Sequence, residues 1–145
     1  MMDTLLAKTA TFDHRAVAYV DGGCFPNPGR GAWAVVLITD EYETELWDSA
    51  DGFTNQRAEI MAAIEALDAL YDPTAIEIVS DSQYLVKCAS GEWGRKANGD
   101  LWDRLDRASK NHRVTYKWVK GHNGNPGNER AHELSMLALE GHEPC

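Results

Sequence analysis

The sequence has little of what marks secreted, zinc-binding and membrane proteins. Its three cysteines, Cys24, Cys88 and Cys145, are an odd number and are scattered with no C-x-x-C pair. This argues against a disulfide framework or a cysteine-ligated zinc site and favours a reducing compartment. No apolar run reaches the length of a membrane span, and the first residues lack the basic start and apolar core of a secretion signal. We therefore expect a cytoplasmic protein with no membrane contact.

Basic residues are also scarce. Lys and Arg number 14 against 23 Asp and Glu, which gives a formal net charge of −9. This balance ordinarily argues against nucleic-acid binding, because phosphate binding is driven largely by basic side chains. It does not exclude a protein whose acidic residues surround divalent cations. The length of 145 residues fits one domain with a full core. We expect a short tail over residues 1–13 and a single domain over 14–145.

The pattern of apolar and turn residues predicts an α/β domain of order β-β-β-α-β-α-α-β-α. Short polar turns between the first three strands favour an antiparallel meander, and helical crossovers place the first, fourth and fifth strands in parallel. The result is a mixed five-stranded sheet with helices on both faces. Strands are expected at 17–21, 32–38, 45–52, 75–80 and 114–119, and helices at 57–70, 82–89, 101–108 and 128–140. Residues 22–31 are expected to form a tight turn, and the core is expected to hold Trp33, Trp47, Trp102 and Trp118.

Two of the predicted strands end on an acidic residue, Asp21 and Asp81. In open α/β sheets, functional sites form beyond the carboxyl ends of the strands. Glu59, expected in the first turn of a helix packed on this sheet, could face both. Each acid alone has an ordinary explanation, as a turn cap, a helix N-cap or a partner of the helix dipole. Three carboxylates in one place, however, repel one another unless cations lie between them, and two-metal clusters of this kind act on phosphate.

Four ordered motifs resemble those of type 1 ribonuclease H over residues 16–139. They are YVDGGCFPNPG at 19–29, TNQRAE at 54–59, SDSQY at 80–84 and WVKGHNGNP at 118–126. The resemblance implies the ribonuclease H fold and metal-dependent endonucleolytic cleavage of the RNA strand of RNA–DNA hybrids. It also implies products with 5′-phosphate and 3′-hydroxyl ends.

The same resemblance assigns roles to single positions. Asp21 would bridge two divalent ions, Mg²⁺ or Mn²⁺, and Glu59 and Asp81 would complete the ion on the leaving-group side. His122, on a glycine-rich loop, would move protons or help to release product. Other polar residues would contact 2′-hydroxyls and minor-groove edges of the RNA strand or a phosphate of the DNA strand. They are Cys24, Asn27, Thr54, Asn55, Gln56 and Gln83; amides suit a 2′-hydroxyl because it both donates and accepts.

The sequence departs from the family pattern at the fourth metal ligand. Where the family has an Asp, ten positions after the loop histidine, this chain has His132. An imidazole can still ligate, and it suits Mn²⁺ better than Mg²⁺; a surface histidine on the helix is the alternative. Glu129, one turn earlier, could hydrogen-bond His132 or approach the metal. We expect Mn²⁺ to be favoured, and activity to fall as the pH drops through about 6–7, since imidazolium cannot ligate.

A second departure is the segment 88–100, which is short where many bacterial members carry a basic helix and loop. Its only basic and aromatic residues are Trp93, Arg95 and Lys96. We therefore expect the chain to bind its RNA–DNA hybrid weakly and in a salt-sensitive manner unless a partner assists. Separately, we expect a monomer. Trp93 either stacks on the DNA strand or caps the core. Two rival interpretations stay open: a catalytically inactive hybrid-binding module, and a nuclease of the same fold that acts on DNA.

Overall fold

The computed structural model of the chain describes residues 12–141, and a five-stranded sheet of order β3-β2-β1-β4-β5 forms its centre. The strands are β1 (His14–Phe25), β2 (Gly29–Thr39), β3 (Glu43–Phe53), β4 (Thr74–Ser80) and β5 (Arg113–Trp118). The helices are α1 (Asn55–Asp68), α2 (Gln83–Ala89), α3 (Gly99–Ser109) and α4 (Pro126–Leu139). Within the described part of the chain, no helix is long and apolar enough to cross a membrane. The predicted tail lies mostly outside the described residues and stays a prediction.

The strand pairing confirms the predicted mixed sheet. β2 pairs antiparallel with both β1 and β3, whereas β4 pairs parallel with both β1 and β5. One face carries α1 and α3, whose apolar residues join those of β1 and β2 in the larger core. The opposite face carries α4, where Ala131 and Leu134 pack on Ala34 and Val36 of β2. Helices therefore lie on both faces, as the sequence predicted.

The first hairpin is longer than predicted, so the expected tight turn over residues 22–31 is wrong. β1 continues through Gly22 and Gly23 to Phe25, with Gly22 opposite Trp33 of β2. The glycine is there for close packing: a Cβ on Gly22 would lie 2.4 Å from the backbone carbonyl carbon of Ala58. A glycine that lets a helix approach a strand looks, in the sequence alone, the same as one that makes a turn.

Helix α1 begins two residues earlier than predicted. The Oγ of its N-cap, Thr54, accepts a hydrogen bond from the backbone N–H of Arg57 at 3.2 Å, so Asn55 is the first helical residue. Glu59 consequently lies in the second turn rather than the first. Because the dipole acts mainly on the first turn, a role as dipole partner does not explain this residue.

The tryptophans are only partly where the sequence placed them. Trp33 and Trp102 are buried and Trp47 is half-buried, but Trp118 is 42% exposed, so its predicted place in the core is wrong. Trp118 is the last residue of β5, and its indole N–H donates to the backbone carbonyl of Asp81 at 3.0 Å. This polar contact holds the ring at the edge of the sheet.

Replacing Gly22 with alanine should destabilise the fold by about 1–3 kcal/mol, because the new methyl group must push α1 away from β1. Gly23→Ala is the matched control, since a Cβ there would meet nothing within 4 Å. Urea unfolding followed by circular dichroism measures the difference. Equal unfolding midpoints for the two variants would show that the strand and helix are not in close contact at Gly22.

Candidate active site

A cleft of about 200 Å³ opens beside Asp21, Gly22 and Gly23 of β1 and beside Asp81, the residue after β4. The two strands pair in parallel up to Tyr19 and Val79, so Asp21 and Asp81, each two residues further along, meet at the same edge of this pair. Helix α1 adds Glu59, the loop before α4 adds His122, and α4 itself adds His132. All five residues predicted to be catalytic line this cleft: Asp21, Glu59, Asp81, His122 and His132.

Asp21 is the most enclosed of the three carboxylates, at 8% exposed. Its Oδ2 lies 3.0 Å from Nδ1 of His132 and also accepts a hydrogen bond from Oγ of Ser135 at 3.0 Å. Within residues 12–141, its Oδ1 has no hydrogen-bond partner. The hydrogen bond to Asp21 raises the pKa of His132, and the charges of Asp21 and Asp81 add to the effect against the opposing effect of burial.

Glu59 is held by a hydroxyl group and lies near two other acids. Oγ of Ser82 donates to Oε2 of Glu59 at 2.6 Å. Burial, reinforced by repulsion from Asp21 and Asp81, raises the pKa of Glu59 to about 7, although the hydrogen bond from Ser82 opposes the rise. At neutral pH this carboxyl group is therefore only partly ionised.

Asp81 is closely surrounded by the loop before α4 and by α4 itself. A Cβ on Gly121 would lie 2.8 Å from Oδ2 of Asp81, so the glycine is needed for this approach. Asn128 is buried, at 1% exposed. Within the described residues, its side-chain Nδ2 has no hydrogen-bond partner. Burial and the charge of Asp21 raise the pKa of Asp81, against the opposing effects of Asn128, His132 and His122.

The two histidines of the cleft contact each other. Their rings meet edge to face with centroids 4.9 Å apart, and His122 has a left-handed backbone with φ of 56°. Glu129 does not take part: it is exposed and, within the described residues, makes no hydrogen bond to His132. Its predicted hydrogen bond to His132 is not formed, since Nδ1 of His132 lies 3.0 Å from Oδ2 of Asp21, whereas its predicted approach to a metal ion stays a prediction.

The carboxylates of the cleft do not converge on a single point. Within residues 12–141, only His14, Asp40 and Glu41 form a set of three potential metal ligands whose atoms all lie within 4.8 Å of one another. That set lies at the opposite end of β1. Mutual repulsion explains why Asp21, Glu59 and Asp81 share a cleft without closing on one position.

The predicted substrate-binding residues divide into a joined group and two separate glutamines. Asn55 Oδ1 accepts from the backbone N–H of Cys24 at 2.7 Å, and Asn27 Oδ1 accepts from the N–H of Asn55 at 3.2 Å. With Thr54, these residues join the first hairpin to the start of α1. Gln56 instead lines a groove beside Trp93, and Gln83 is exposed at the start of α2.

Sequence reasoning missed four residues that border the acids of the cleft: Ser82, Gly121, Asn128 and Ser135. Ser82 directly follows Asp81 and was readable as a helix cap, which it also is. Asn128 and Ser135 lie four residues before and three after His132, so they share its helix face. Their spacing from His132 along the helix was the signal that could have identified both residues. Nothing in the sequence marked Gly121 as a contact of Asp81.

A sheet of this order, with carboxylates from β1, β4 and α1 in one cleft, defines the class of ribonuclease H-like hydrolases. The RNase H family model matches residues 13–140. A ribonuclease H of Cupriavidus metallidurans is 47% identical, with 81% of this chain and 90% of the relative covered. The chain belongs to the RNase H family and is a hydrolase of that kind.

Solved structures agree. The N-terminal RNase H domain of a Mycobacterium tuberculosis protein has a TM-score of 0.78 at 25% identity and covers 87% of this chain and 94% of its own. RNase H1 from Halobacterium salinarum NRC-1 has a TM-score of 0.70 at 31% identity, with 87% of this chain and 98% of that chain covered. Both confirm the fold assigned from the strand order.

In metal-free buffer, the protein should lose stability as the pH rises from 5 to 8. The pKa of Glu59 is raised in the folded state, so this group contributes stability that is fully present below its unfolded pKa of 4.5. That stability is lost as the pH rises through about 7. The raised pKa of His132 changes stability in the same direction, since the stability that this group contributes is fully present below pH 6.5 and is lost at higher pH. Glu59→Gln should therefore be more stable than the wild type at pH 8, by up to about 3 kcal/mol.

Chemical unfolding at pH 5 and pH 8 in the presence of a chelator measures this difference. Glu43→Gln, on the exposed part of β3, is the control and should follow the wild type at both pH values. If Glu59→Gln also follows the wild type, Glu59 is not a carboxyl group of raised pKa.

Proposed function

We propose that the chain is an endoribonuclease that hydrolyses the RNA strand of RNA–DNA hybrids with two divalent metal ions. The products would carry 5′-phosphate and 3′-hydroxyl ends. The observation that carries this proposal is the meeting of Asp21, Glu59 and Asp81 in one cleft of a member of the RNase H family. The joined polar group of Cys24, Asn27, Thr54 and Asn55 lies at the end of the same hairpin and would bind the hybrid.

The cleft fits divalent cations by its chemistry. Burial and mutual repulsion raise the pKa of both Glu59 and Asp81, which is the signature of acids that lack compensating positive charge. Carboxylate oxygens and an imidazole nitrogen suit Mg²⁺ or Mn²⁺, and their spread suits two ions better than one. Bound ions would supply Lewis-acid chemistry, which activates water and neutralises phosphate charge.

Within that scheme each side chain has a distinct task. Asp21, between Glu59 and His132, would bridge the two ions. Glu59 and Asp81 would hold the ion on the leaving-group side, and His132 would hold the other. His122, whose ring contacts that of His132, would move protons or help to release product.

A groove of about 640 Å³, lined by Gln56 of α1 and by Trp93, supports a second contact with the hybrid. Trp93 lines it and is 45% exposed, and the ammonium group of Lys87 lies 5.7 Å from the centre of its ring. An exposed ring of this kind favours stacking on a base over capping the core. Because the chain has so few basic residues, hybrid binding should still be weak and salt-sensitive.

A labelled RNA–DNA hybrid incubated with Mn²⁺ tests the proposed function directly. Wild type should cut the RNA strand. Asp21→Asn should lose more cleavage activity than the roughly 10–100-fold expected when a residue that only orients a metal ligand is removed. Asp103→Asn, an exposed acid of α3, is the control. An uncut hybrid would favour the inactive binding module, and cleavage of duplex DNA at the same rate would favour a DNA nuclease.

The role of His132 predicts an altered metal preference. The ratio of the cleavage rate in Mn²⁺ to that in Mg²⁺ should be higher for the wild type than for His132→Asp, because imidazole suits Mn²⁺ better. The fall in activity below about pH 7 should be steeper for the wild type, since imidazolium cannot ligate while Glu59 titrates in both proteins. Unchanged rates and an unchanged ratio in the variant would show that His132 is not a ligand.

A further inference from the structure

Ser135 makes a contact that its position in a helix does not require. It lies on α4, three residues after His132, and is 5% exposed. Its Oγ is 2.8 Å from the backbone carbonyl oxygen of His132, the acceptor that a helical serine ordinarily finds. The same Oγ is 3.0 Å from Oδ2 of Asp21, on a strand 114 residues away in the sequence.

Both hydrogen-bond donors that reach Asp21 converge on the same oxygen. Nδ1 of His132 and Oγ of Ser135 each lie 3.0 Å from Oδ2. Within residues 12–141, Oδ1 has no hydrogen-bond partner. The protein thus holds the carboxylate by one oxygen and leaves the other for a ligand in the cleft.

The two donors differ in how firmly they are placed. The side chain of His132 is 41% exposed and that of Asp21 only 10%. Ser135 is buried and its hydroxyl is attached directly to Cβ, so it has a single torsion to adjust. The more exposed ring of His132 can therefore turn towards a cation more readily than the buried hydroxyl of Ser135 can leave Asp21.

We propose that Ser135 is a positioning residue for Asp21, whose hydroxyl holds Oδ2 so that the carboxylate keeps its orientation when His132 turns to a metal ion. This inference rests on the metal site of the proposed function. A buried serine here also has an acceptor within its own helix, so the fold does not depend on its contact with Asp21. Its loss should therefore affect ion binding more than stability.

Calorimetric titration of the full chain with Mn²⁺, without nucleic acid, tests the proposal. Ser135→Ala should raise the Kd for Mn²⁺ about tenfold, the order expected for loss of a residue that orients a metal ligand. Ser135→Cys keeps nearly the same volume but donates only weakly, and it should behave like the alanine variant. Ser135→Thr keeps the hydroxyl group and should bind Mn²⁺ as the wild type does.

Ser109→Ala is the matched control. Ser109 donates to the backbone carbonyl of Leu105 at 2.7 Å within α3, and it does not line the cleft. This variant should bind Mn²⁺ as the wild type does. Thermal unfolding of every variant in metal-free buffer confirms that each is folded, and Ser135→Ala should unfold close to the wild type.

Three outcomes overturn the proposal. They are wild-type Mn²⁺ affinity in Ser135→Ala, equal weakening in the alanine and threonine variants, and retained affinity in the cysteine variant. The first would show that the hydroxyl group is not needed, and the second that only packing matters.

Hybrid cleavage at saturating Mn²⁺ should show a lower kcat with little change in KM for Ser135→Ala. Because ion binding is measured without substrate, a chain that binds Mn²⁺ but cuts no hybrid would contradict the proposed function alone.

Discussion

The close contact between Gly22 and the backbone of Ala58 determines where the cleft forms. Without a side chain at position 22, the backbone of α1 at Ala58 approaches β1 closely. Glu59 follows Ala58 directly and is thereby brought beside Asp21. The parallel pairing of β1 with β4 brings Asp81 to the same edge. One steric constraint, together with one strand pairing, thus assembles three acids from distant parts of the chain.

Assembling these acids has an electrostatic cost, and the surrounding residues reduce it locally. Each acid of the cleft has a polar neighbour in the protein: Ser135 for Asp21, Ser82 for Glu59 and Asn128 for Asp81. None of the three carries a charge, so they orient the carboxylates without neutralising them. The cleft stays negative and remains suited to a cation.

The fold and the main site residues were readable from the sequence because they rest on strong local patterns. Strands that lead to Asp21 and Asp81, and a helix that carries Glu59, follow from periodicity and from the motifs around them, although β1 continues past Asp21 to Phe25. The errors have a common cause, which is that contacts between distant segments leave little local signal. Gly22 resembled a turn residue, and Trp118 resembled a core residue. Ser135 escaped notice because its partner is on another element.

The hydrogen bond between Trp118 and the carbonyl of Asp81 gives the cleft an optical reporter. Indole emission depends on the polarity around the ring and on its hydrogen bonding. Trp118 is 42% exposed and hydrogen-bonded to the residue that follows β4, so a shift of Asp81 changes its surroundings directly. Trp118, one of the five tryptophans of the chain, would therefore contribute a change in fluorescence when Asp81 moves.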